Sequence, residues 1–196
     1  MIDPPPGQLS QEEKNYLTSV VLHIKPNIVL ESGTWFGGGS TLSLVHGLYK
    51  NKKGILHTVE EVVGFFQVAS NYYVNSKYSS FIKLYNDSFI SVINNMNLSE
   101  VDLFFLDGGD ETPEGQHKLP ISEYINNYDV SENVQSFKII EKQIKPNTHL
   151  ILHDWNIPHG RGNFIKRYLE KENKMKHYKL QCCLNTTTGL AHLIKI

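Results

Sequence analysis

Residues 27–41 read N-I-V-L-E-S-G-T-W-F-G-G-G-S-T. The run 27–31 (NIVLE) is apolar and of strand length, the glycine-rich bend 33–39 follows at once, and residues 40–49 carry a helical pattern. Strand, glycine loop and helix in immediate succession place bare backbone at the carboxyl end of a strand, where open α/β sheets bind their ligands.

Upstream, Ser10 with Glu13 three residues later forms a capping box. It predicts a helix running to about residue 23, with Tyr16, Leu17, Val20, Val21 and Ile24 on its buried face and Pro26 ending it. Downstream the same grammar recurs. Strands are expected at 55–59 (ILHTV), 81–85, 101–106 (VDLFFL) and 149–152, separated by helices at about 62–75, 88–95, 132–144 and 161–172. Strands this apolar on both faces, alternating with helices, predict a mainly parallel sheet covered on two sides. The tail breaks the alternation: 179–184 and 190–196 are strand-like runs joined by residues 185–189, which predicts an antiparallel hairpin.

At 196 residues the chain suits one domain, residues 1–196, with 1–9 as an N-terminal tail. Lys and Arg total 19 against 20 for Asp and Glu, so no long-range field gathers nucleic acid or coats a membrane. The apolar runs are too short to span a bilayer and the N-terminus lacks a signal pattern, so a cytoplasmic protein is expected. Cys182 and Cys183 are neighbours in a strand-like run, where alternation turns them to opposite faces and argues against a disulfide or a zinc site.

The dinucleotide fingerprint G-x-G-x-x-G is missing. Counted from Gly33 the third position is Trp35, and counted from Gly37 the sixth is Leu42. A nicotinamide or flavin enzyme is thereby disfavoured. What residues 31–41 do resemble is motif I of the class I S-adenosylmethionine (SAM)-dependent methyltransferases, in the E-x-G-T-x-x-G-x-S-T form of small-molecule O-methyltransferases of the catechol and macrocin type. The resemblance extends from about residue 27 to the C-terminus, through Glu60, Asn86-Asp87-Ser88, Leu106-Asp107-Gly108-Gly109, His153-Asp154-Trp155 and Gly189-Leu190-Ala191. It implies a Rossmann-like, doubly wound seven-stranded sheet with a C-terminal antiparallel hairpin. It also implies SAM as cofactor, with Glu31, Gly33, Thr34, Trp35, Gly37, Ser40, Glu60, Asp87, Ser88 and Asp107 around it.

Several of these assignments have a chemistry of their own. Glycines at 33, 37, 38 and 39 permit positive φ and close approach of backbone to a ligand. Glu60 stands 21 residues after Gly39, the separation at which a carboxylate accepts hydrogen bonds from ribose hydroxyls in this architecture. Glu61 competes for the role, and strand alternation lets only one of the two face the crevice. Asp87 lies where the resemblance puts adenine; it is also a good N-cap for the helix from Ser88.

Asp107 ends the fourth strand and Asp154 follows the fifth, so both reach the rim where the sulfonium methyl is expected. Asp107, His153 and Asp154 form the catalytic set, with His153 either a general base or a backbone-bonded bystander. In catechol-type relatives, aspartates at these two positions bind a divalent cation, usually with Asp or Asn directly after the second. Here Trp155 stands in that place, leaving Asn156 or a water to complete a Mg2+ site on Asp107 and Asp154. His57 and His192, inside strands, are expected to be structural.

Residues 108–131 are polar with little periodicity and are expected to form a lid or insert, with His117, Tyr124 and Tyr128 enclosing a methyl acceptor. Residues 157–162 are a candidate second wall, with Arg161 either pairing an anionic acceptor or pointing to solvent. The acceptor expected is a small hydroxylated molecule, a sugar or a natural product, with a homo-oligomer compatible with the sequence. The alternative is a degenerate nucleotide-binding domain of the same fold, kept as a binding or oligomerisation subunit.

Overall fold

A computed structural model of the chain describes residues 5–109 and 119–196. It shows a seven-stranded mixed sheet in the order β3-β2-β1-β4-β5-β7-β6, with seven α-helices among the described residues, the Rossmann-like arrangement expected. The chain divides into two compact units after Ser88.

The first unit carries α1 (Gln11–Ile24), β1 (Ile28–Ser32), α2 (Ser40–Asn51), β2 (Ile55–Val59), α3 (Val63–Val74) and β3 (Ile82–Tyr85). The predicted capping box closes α1: the Ser10 hydroxyl accepts from the Glu13 N–H and the Glu13 carboxylate takes the Ser10 N–H in return. Lys25, in a left-handed conformation, ends the helix one residue before Pro26. β1, β2 and β3 pair in parallel, in register Ile28 with Ile55 and Leu56 with Ile82. Val29, Leu30, Leu44, Leu48 and Leu56 are fully buried and form the core. Residues 5–9 of the N-terminal tail are held against the first unit. The Gly38 N–H donates to the Pro6 carbonyl and Leu9 is buried, so the segment from Pro5 is packed along the glycine bend.

The second unit carries α4 (Phe89–Asn94), β4 (Leu103–Leu106), α5 (Ile121–Asn126), α6 (Glu132–Ile140), β5 (His149–His153), α7 (Arg161–Lys171), β6 (Tyr178–Leu184) and β7 (Leu190–Lys195). β4 and β5 are parallel, while β7 runs antiparallel between β5 and β6 as the tail predicts. Leu103, Phe104 and Phe105 on β4 and Leu150, Ile151 and Leu152 on β5 are wholly buried. That is why these runs show no polar alternation. Cys182 and Cys183 are both free thiols.

Part of the expected irregular insert is regular. Residues 121–126 are α5 and 128–130 a single 3-10 turn, a periodicity too short to register in the sequence. Tyr124 stacks on Phe164 and Tyr128 packs edge-on to Tyr168, both buried, so they belong to the core rather than to an exposed lid. His117 lies outside the described residues. No helix among the described residues is long and apolar enough to cross a membrane.

Candidate functional site

In the first unit the site is a bend of main chain held from beneath. Glu31, at the end of β1, is wholly buried, and its Oε2 accepts hydroxyl hydrogen bonds of 2.7 Å from both Thr41 on α2 and Thr58 on β2. It exposes no surface to a ligand, and its contribution runs through these threonines. Thr58 in turn meets the Thr34 hydroxyl at 2.5 Å. One buried carboxylate thus ties the strand, the bend and the following helix together. Such a group is sustainable inside only because its partners donate to it.

Above this strut, Gly33 (φ +85°) turns the chain and donates its N–H to the Val59 carbonyl. Trp35 is left-handed at φ +51°, an unfavourable conformation for a bulky residue, and its N–H reaches Glu60 Oε2 at 2.7 Å. Gly37 (φ +87°) presents its carbonyl to the buried Tyr73 hydroxyl at 2.5 Å; a Cβ there would come within 2.8 Å of the Tyr73 ring. Gly38 is bare for another reason, since a Cβ would fall 1.7 Å from the Pro5 carbonyl oxygen. Ser40, the first residue of α2, is buried.

Glu60 is buried and Glu61 exposed, which decides between the two acids. Beside the Trp35 N–H, the Val62 N–H donates to Glu60 Oε1 at 2.9 Å. Each oxygen keeps a second lone pair for a hydroxyl donor. Burial raises the Glu60 carboxyl above its ordinary range against the pull of these two N–H groups. Asn86 donates its amide to the Glu60 carbonyl, docking the turn that carries Asp87 and Ser88. Asp87 itself is exposed and accepts from the N–H of the adjacent Ser88 at 2.7 Å, a bond within the turn rather than a cap on α4, which starts at Phe89. Tyr73, which braces the bend, is a residue the sequence does not single out. A tyrosine at the buried face of a helix 36 residues from the carbonyl it bonds gives no local signal.

In the second unit four side chains converge. Asp107 follows β4, His153 is the last residue of β5, Asp154 follows it in a left-handed conformation (φ +57°), and Arg161 opens α7. His153 Nδ1 lies 3.0 Å from Asp107 Oδ1 and 3.3 Å from Asp154 Oδ1. Arg161 Nη1 lies 2.9 Å from both Asp107 Oδ1 and Asp154 Oδ2. The remaining ring nitrogen of His153, Nε2, meets the Thr188 hydroxyl at 3.0 Å. Burial alone would raise the Asp107 carboxyl, but His153 and Arg161 outweigh it and hold it below the usual carboxylate range. An ionised Asp107 can only accept, so His153 carries a proton on Nδ1.

The three predicted catalytic residues are therefore together, with Arg161 among them rather than in solvent. The expected cation does not fit this arrangement. Ligand atoms of Asp107, His153 and Asp154 do lie within 4.8 Å of one another, as a metal would require. The guanidinium, however, already occupies the position between the carboxylates. The sequence-based completion of the site is also displaced. Trp155 is buried, and the Asn156 amide donates to Asn185 Oδ1 on the β6–β7 connection.

His57 and His192 sit inside strands, His57 stacked on Tyr85 and His192 2.8 Å from His149.

No protein-family model matches the chain, and no curated protein matches it in sequence. Solved structures do resemble it. An O-methyltransferase from Bacillus cereus, in complex with SAH, superposes with a TM-score of 0.70 at 18% identity, over 98% of this chain and 84% of that one. The O-methyltransferase TomG from Streptomyces achromogenes, involved in tomaymycin synthesis and in complex with SAM, gives 0.68 at 15%, over 96% and 81%. The SAH-bound methyltransferase PaMTH1 from Podospora anserina gives 0.66 at 14%, over 96% and 80%. At these identities the likeness is one of fold.

Proposed function

We propose that residues 1–196 are one SAM-dependent methyltransferase domain that methylates a hydroxyl of a small molecule. The observation that carries this is the first unit's bend: two left-handed residues, Gly33 and Trp35, aim main chain outward over a buried strut, with Glu60 alongside. That is the cradle an adenosyl amino acid requires, backbone for its methionine end and a carboxylate for its ribose. Asp87 and Ser88 would meet the adenine. Solved structures of the same fold in complex with SAM or SAH support the choice of cofactor.

When bound, SAM supplies a methyl group already activated by a sulfonium charge. The protein's task is then positioning, which in favourable cases contributes about 7–11 kcal/mol, and removal of the acceptor's proton. His153 suits the second task. Its Nδ1–H is held by Asp107 and Asp154, so a neutral ring has Nε2, 3.0 Å from the Thr188 hydroxyl, to take a proton, and the same carboxylates stabilise the imidazolium that results. The near-zero net charge favours an uncharged or weakly charged small acceptor over nucleic acid or a membrane surface, in a cytoplasmic setting.

Calorimetry of the purified chain with SAH is the direct test. Saturable binding is expected, weakened about tenfold by Glu60→Gln; no heat at millimolar ligand overturns the proposal. Turnover against a panel of hydroxylated acceptors then separates an enzyme from the degenerate binding subunit, which would hold SAH and transfer nothing.

A further inference from the structure

We propose that Arg161 is a built-in cation that takes the place of a divalent ion between Asp107 and Asp154, and that it keeps such ions out. This extends the methyltransferase reading by assigning the cluster a metal-free chemistry, and it rests on that reading only for its catalytic meaning.

The geometry is specific. A single guanidinium nitrogen, Nη1, stands 2.9 Å from Asp107 Oδ1 and 2.9 Å from Asp154 Oδ2. A magnesium ion bridging the same oxygens would draw each to about 2.1 Å in a near-octahedral shell. Both cannot occupy the point between the carboxylates. An entering ion would have to expel Arg161 or sit beside its positive charge at a site largely shielded from water.

The local sequence is shaped to deliver this side chain. Arg161 lies between two glycines that allow the start of α7 to lie flush on the end of β5. A Cβ at Gly160 would fall 2.4 Å from the Asp154 carbonyl oxygen, and one at Gly162 would fall 2.4 Å from that of His153. A cation in the first turn of a helix also opposes the helix dipole. Here two carboxylates offset that cost, so the placement is held by the acids. Arg161 acts as a positioning residue: it fixes Asp107 and Asp154 against the His153 ring, the work a metal would otherwise do, and it cannot lose its proton in doing so.

Titration with Mn2+ followed by electron paramagnetic resonance tests this without any methyl transfer. The native chain should leave the free Mn2+ signal unchanged at millimolar protein. Arg161→Ala, checked for folding by near-ultraviolet circular dichroism, should bind Mn2+ roughly tenfold or more tightly than the native chain. Arg161→Lys, which keeps the charge, should exclude it again. Binding of Mn2+ by the native chain that is abolished by Asp154→Asn overturns the proposal, as does a folded Arg161→Ala chain that gains no affinity, or an Arg161→Lys chain that admits the ion as readily as Arg161→Ala. If Arg161→Ala does not fold, Arg161→Gln, which removes the charge and keeps most of the side chain, takes its place with the same two outcomes. Failure of SAH binding would remove the methyltransferase reading and leave this result standing.

Discussion

The glycine bend of the first unit and the charged cluster of the second are built by opposite means. The turn of the bend is local, since Gly33, Thr34, Trp35 and Gly37 shape it through their own backbone, while Thr58, Glu60 and Tyr73 brace it from 27, 25 and 36 residues away. The cluster is assembled from afar, since Asp107 lies 46 residues from His153 and 54 from Arg161. A local device should fail through backbone conformation, with modest cost to the fold. A long-range charge cluster should fail through an orphaned charge, with a large one.

The sharpest way to break this contrast is Asp107→Ala, which leaves Arg161 and His153 facing one carboxylate instead of two. Removing one partner of a buried ion pair typically costs about 3–5 kcal/mol, and urea unfolding should show a loss near that size. The double variant with Arg161→Ala should lose less than the two single losses added together. Strict additivity would mean that the cluster is not the unit described.

An acid titration comes next in size. His192 is buried beside His149; burial first, and then that neighbour, push its pKa down to about 4. The unfolded chain takes the proton near pH 6.5, so stability contributed by neutral His192 is intact above that value and drains away as pH falls to about 4. Over the whole window the loss is about 3 kcal/mol, and His192→Gln should flatten it in unfolding curves between neutral pH and pH 4. An unchanged slope would place the acid sensitivity elsewhere.

For the bend, Gly37→Ala should cost about 2 kcal/mol, from a left-handed alanine and the crowding of Tyr73, and should weaken SAH binding more than it weakens the fold. A variant destabilised with unchanged SAH affinity would make the bend a scaffold and nothing more. Smallest of all, Ser10→Ala should remove about 1 kcal/mol through its capping box and leave both sites untouched.

How far each region was legible follows the same division. The bend, the choice of Glu60 or Glu61 as a live question, and the order of strands and helices could all be read off neighbours in the chain. The capping box of α1 and the hairpin at the end were visible for the same reason. Arg161 was not: between solvent and an anionic partner the sequence offered no choice, because its partners are set by where β4 and β5 end. Tyr124 and Tyr128 misled in the opposite direction. Polar neighbours made them look like lid residues, whereas Phe164 and Tyr168 on α7 bury them.

By itself the sequence determined the alternation of strands and helices, the bare main chain at 33–39, and which acids stand at strand ends, because periodicity, glycine content and spacing act over a few residues. Tertiary structure alone decided what those acids face. Two carboxylates in one place attract a metal or a guanidinium alike, and the close seating of Gly160 and Gly162 on β5 carries Arg161 between them.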